Sequence, residues 1–198
     1  MSAAPITVRN PLGLPAGSVR SIIALAIAGS FIGHLFSPDP IPLYVYFLLA
    51  LVPPFFTSHG TSIGADPHGP SPLHLPRGSI RLLLSLGIVT AVAYFLYLNH
   101  FEFERLAPPA RELPLFPYYV LALGGGLFVG FLASKGPWRK WPAFQDLQAW
   151  LSIVALFALG VELVLDVVIR PKTDLLGDRV IWNTILIAIL SFYFAARS

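Results

Sequence analysis

Six long apolar stretches, each near the length of one bilayer crossing, constrain this chain more than any other feature. They run over 18–37, 41–57, 79–99, 117–134, 147–169 and 179–196. A helix needs roughly 20 mostly apolar residues to cross the hydrocarbon core. Segment 41–57 is the shortest, and Pro53-Pro54 breaks or kinks its end. The pattern predicts an all-α integral membrane protein with six transmembrane helices, folded as one membrane domain over 1–198. Composition agrees, because a chain that is 56% hydrophobic and 12% charged is too apolar for a soluble domain of this size. Trp138, Trp141, Trp150 and Trp182 fall near the ends of the stretches, where an aromatic belt places them. Residues 1–17 lack the basic-then-apolar order of a cleavable signal, so the first helix is expected to stay as an anchor.

The first and third stretches open alike. Leu14-Pro15-Ala16-Gly17-Ser18-Val19-Arg20 and Leu75-Pro76-Arg77-Gly78-Ser79-Ile80-Arg81 both read L-P-x-G-S-[VI]-R. Pro and Gly stop the preceding chain, and Ser18 or Ser79 can cap the first free backbone N–H groups of a helix. Arg20 and Arg81 then sit against the positive end of the helix dipole. Each is expected to contact lipid phosphate or a partner's carboxylate.

A second match follows each leader, between the segments starting Ile41-Pro42-Leu43 and Leu113-Pro114-Leu115. The unit is a helix pair, duplicated over 14–57 and 75–134. Two spans per unit make the repeat parallel rather than inverted. The second unit's extra residues fall in the loop at 100–116. The third pair, 147–196, has no leader.

Six spans place the N-terminus, loops 58–78 and 135–146, and the C-terminus on one side. That side carries Arg9, Arg20, Arg77, Arg81, Lys135, Arg139, Lys140 and Arg197, against Arg105, Arg111, Arg170, Lys172 and Arg179 on the other. The excess of positive charge predicts an inner-membrane protein with both termini cytoplasmic.

Chemistry-bearing residues are few. Zero Cys excludes disulfides, thiolate metal sites and cysteine nucleophiles. A net charge of +3 without a basic run gives no reason to expect nucleic acid. No G-x-S-x-G elbow, Walker loop, H-E-x-x-H or dinucleotide fingerprint occurs, so neither an enzyme nor a cofactor is expected. Gly29 and Gly33 in the first helix, and Gly126 and Gly130 in the fourth, form small-residue faces that let helix backbones approach closely. Packing within the subunit is the preferred use of both. Glu162 and Asp166 share a face of the fifth helix, with Arg170 one turn further on. Intramembrane acids are costly and point to a proton or ion site, whereas pairing of Asp166 with Arg170 is the structural alternative.

His59, Asp66, His68 and His74 cluster in loop 58–78, but their spacing matches no compact metal motif, and no metal is expected. His34 and His100, near the same ends of their helices, are staggered too far for axial ligands of one haem and are read as facing headgroups.

The sequence therefore predicts a non-catalytic multi-pass subunit that scaffolds or stabilises a larger inner-membrane assembly. Its expected partners are membrane lipids and other membrane subunits, in a homo-oligomer or hetero-complex. A small proton-coupled transporter using Glu162 is the alternative, followed by a membrane enzyme acting on lipid.

Overall fold

The computed structural model describes residues 18–53, 79–136, 141–165 and 176–196. Its elements are α1 (Ser18–Leu35), α2 (Leu43–Leu49), α3 (Ser79–Leu98), two 3-10 helices (Phe103–Leu106 and Ala110–Leu115), α4 (Phe116–Lys135), α5 (Pro142–Val164) and α6 (Leu176–Ala196). No strand occurs among the described residues. Every α-helix except α2 is long and apolar enough to cross a membrane. This is the all-α architecture of a multi-pass membrane protein.

The second segment departs from the expected full-length helix. The described α2 has seven residues, about 10 Å at 1.5 Å per residue, against a core of roughly 30 Å. A turn at residues 50–51 follows, then helical residues 52 and 53, while 54–57 lie outside the described residues. The prolines explain the interruption. Pro53 and Pro54 lack the N–H groups that would bond the carbonyls of Leu49 and Ala50 in a regular helix. The bonding tightens just before them, from Ala50 N–H donating to Tyr46 O at 3.0 Å to Leu51 N–H donating to Leu48 O at 3.0 Å.

Other boundaries shift outward. α5 opens at Pro142, with Trp141 as an extended N-cap residue; proline suits a first turn, where its missing N–H bonds nothing anyway. Polar Gln145, Asp146 and Gln148 therefore ride on the helix instead of preceding it. α6 opens at Leu176, before the expected start at 179. The 100–116 connection is not a plain loop, since its two 3-10 helices lead directly into α4.

Contacts at the helix ends fix the direction of each element. At one end the Arg20 guanidinium donates to Phe194 O at 3.4 Å, and Gln148 Nε2 donates to Ala196 O at 3.2 Å. Gly130 meets residues 192–196 there as well. At the other end Phe36 packs on Tyr94 and Phe95, with ring centroids 6.1 Å apart in both cases. There too Phe47 of α2 stacks edge-on against Phe116 and Tyr119 of α4. Helices α1, α3 and α5 thus run one way, and α4 and α6 the other. The start of α1 and the end of α6 share one end of the bundle.

Helix α6 is the hub. It packs most extensively on α4 and also on α5 and α2. Ile187, Leu190, Tyr193 and Phe194 of α6 join Ile23, Ile27, Tyr44, Leu48 and Leu51 in the core. Helix α3 is peripheral: it packs chiefly on α1 and turns Leu82, Leu83, Leu86, Val89 and Tyr97 outward. That is the face expected against lipid tails, which are as apolar as leucine.

Candidate functional site

The two glycine pairs have opposite surroundings. A Cβ at Gly126 would lie 1.9 Å from Ser191 Oγ and 2.6 Å from Ala188 O. One at Gly130 would lie 2.5 Å from Phe192 O and 2.8 Å from Ala195 Cβ. These glycines are the floor of the α4–α6 seam, where backbone touches backbone and Ser191 Oγ lies 3.4 Å from Ala122 O. Gly29 and Gly33 have nothing within 4 Å of a Cβ position and lie exposed on the outside of α1.

The two leader arginines also separate. Arg20 is buried at 9% exposure, with its guanidinium 5.4 Å from the centre of the Phe194 ring. The desolvated cation is held by the ring's negative face and by a backbone carbonyl at the C-terminal end of α6, where the helix dipole favours positive charge. Arg81 is half-buried on α3. Equal sequence motifs thus put one arginine inside the bundle and the other nearer its surface. The residues before Ser18 and Ser79 lie outside the described residues.

Glu162 lies on the buried stripe of α5 formed by Ser152, Ala155 and Leu159, and is itself 6% exposed. Asp166 and Arg170 lie outside the described residues, as do His59, Asp66, His68 and His74. Among the described residues no three His, Cys, Asp or Glu side chains group as a metal site. His34 Nδ1 donates to Ser30 O at 2.8 Å, one turn back on its own helix. His100 is exposed beyond the end of α3, in left-handed backbone at φ 51°.

Three residues emerge that the sequence reading did not single out for a site. Glu112 of the second 3-10 helix accepts a hydrogen bond from the Leu43 backbone N–H at 2.7 Å. It thereby caps the first residue of α2, where a carboxylate meets both an unbonded N–H and the positive end of the helix. Tyr46, further along α2, donates its hydroxyl to Leu106 O of the same connection. Asn183 of α6, the one amide in the stretch 179–196, is 6% exposed, and its Oδ1 has no hydrogen-bond partner among the described residues. An amide inside an apolar run was a visible signal, comparable to that of Glu162. The two bonds that hold α2 left no such mark, because they join residues about 60 to 70 positions apart.

No protein-family model, no curated protein and no solved structure matches this chain.

Proposed function

We propose that this chain is a non-catalytic multi-pass subunit that scaffolds or stabilises a larger assembly in the inner membrane. The observation that supports this reading is how several of its buried and half-buried polar groups are used. Ser134, Ser152 and Thr184 hydroxyls return to carbonyls of their own helices at 2.6 to 2.7 Å. Arg20 is engaged on Phe194. Groups held this way serve packing, which leaves recognition to the outward faces of α1 and α3. The partners would be membrane lipids and other membrane subunits, whether further copies of this chain or different proteins. Gentle extraction from the native membrane, followed by mass spectrometry of co-migrating chains, tests this; a chain that migrates alone at native lipid content refutes it.

The alternative, a small proton-coupled transporter, draws support from one observation, the deep burial of a carboxyl at Glu162. Purified protein in liposomes that moves protons with a solute, and loses this as Glu162→Gln, would favour the carrier over the scaffold.

A further inference from the structure

Polar groups of α5 and α6 fall at one level along the two helices. Gln148 of α5 meets Ala196 of α6. Glu162 lies 14 residues after Gln148, and Trp182 lies 14 residues before Ala196. The two helices run antiparallel and pack on each other. Counting the same rise along both, about 21 Å, brings Glu162 level with Trp182 and Asn183.

Glu162 and Asn183 both lie on buried faces of their helices. Glu162 continues the buried stripe of Ser152, Ala155 and Leu159, and Asn183 continues that of Ile187, Leu190 and Phe194. Two polar atoms at this level lack a hydrogen-bond partner among the described residues: Trp182 Nε1, a donor, and Asn183 Oδ1, an acceptor. Both atoms are buried, and an unsatisfied polar group is more costly in a bilayer than in a soluble core, because no bulk water competes to relieve it.

We infer that α5 and α6 hold an ordered water between Trp182, Asn183 and Glu162, which makes the intramembrane carboxyl a hydrated group. The chemistry selects the occupant. A metal or ammonium cation would suit the carboxyl and the amide oxygen but would be repelled by the indole N–H. Water accepts from Trp182 Nε1 and donates to Asn183 Oδ1, keeping its second hydrogen for the Glu162 carboxyl. Buried waters typically make about three such bonds. It also serves the amide whichever of its two ends faces the space. The inference is independent of both functional readings, since a hydrated carboxyl is compatible with a scaffold and necessary for a carrier.

The test uses the full chain labelled with 15N-tryptophan, whose four indole N–H signals are assigned through single Trp→Phe variants. The Trp182 signal is expected to show a cross-peak to water in detergent micelles and to exchange in D2O within minutes. Asn183→Leu removes the acceptor that anchors the water. It should abolish the cross-peak and slow exchange by about ten-fold or more, while the other three indoles stay unchanged. Should that variant fail to fold, the wild-type measurement decides alone. Protection for hours without a water cross-peak overturns the inference. So does a cross-peak that appears only after exhaustive lipid extraction, which would assign the space to a lipid-soluble hydroxyl compound.

Discussion

Placing a methyl group on each of the four motif glycines separates the two helix faces that look alike in sequence. At Gly126 the new Cβ would sit 1.9 Å from Ser191 Oγ and 2.6 Å from Ala188 O. The hydroxyl can rotate away, losing its 3.0 Å bond to Ala188 O, but the carbonyl cannot move without its helix. At Gly130 the nearest atom is again a carbonyl, Phe192 O at 2.5 Å. Relief therefore requires α4 and α6 to separate by several tenths of an ångström along their most extensive contact. Overpacking of this kind costs about 1–3 kcal/mol, and the backbone obstacles put both variants near the upper end. Gly29 and Gly33 meet nothing, so alanine there gains up to about 1 kcal/mol of helix propensity and loses no contact.

Unfolding of purified protein by SDS titration in mixed micelles, followed by tryptophan fluorescence, provides the assay. Gly126→Ala and Gly130→Ala should each lose about 2–3 kcal/mol, and Gly29→Ala and Gly33→Ala should match or exceed the parent. A stable Gly126→Ala, or a destabilised Gly29→Ala in the isolated chain, refutes the assignment of the seam. Loss of co-purifying chains on Gly29→Ala without loss of stability would instead mark the open face of α1 as the scaffold's contact surface.

Arg20→Met should destabilise the isolated chain by about 2 kcal/mol, through loss of the ring contact and the bond to Phe194 O. Arg81→Met should cost less than half of that in the same titration. Glu112→Ala leaves the Leu43 N–H without its acceptor and should cost about 1.5–3 kcal/mol, whereas Glu112→Gln should retain part of the bond. Cysteines placed singly at Ser62 and Ser198 of this cysteine-free chain should resist an impermeant thiol reagent in whole cells, while one at Ala110 reacts. The opposite labelling pattern would reverse the orientation. Glu162→Gln should leave assembly intact if the chain is a scaffold, and a loss of proton-coupled uptake on the same change would refute that reading.

The long helices were legible because their apolar runs exceed what any soluble element needs, and Glu162 was legible because charge inside such a run is rare. The neighbours of each helix were not. Gly29-x-x-x-Gly33 and Gly126-x-x-x-Gly130 are the same motif, yet among the described residues only the second meets another helix, because a spacing defines a face and carries no information about what covers it. Arg20 and Arg81 occupy matching places in matching leaders, and their different burial follows from Phe194, a residue far along the chain. The broken second helix was half-visible. Pro53-Pro54 announced the interruption, but the capping of α2 by Glu112 and the bond from the Tyr46 hydroxyl to Leu106 O depend on contacts made only once the bundle has closed.

The central position of α6 has a consequence for how the protein is made. Every other described element precedes it in the chain, so α4 enters the membrane with the Gly126–Gly130 face bare and Arg20 waits without its aromatic partner. Ala196 emerges 66 residues after Gly130, about 3–13 s later at ordinary synthesis rates. During that interval the nascent bundle is an open cup with a buried cation and a close-packing face both turned to lipid or to the insertion machinery. Arrival of α6 covers both, and a chain stalled before it would present those same groups to quality control.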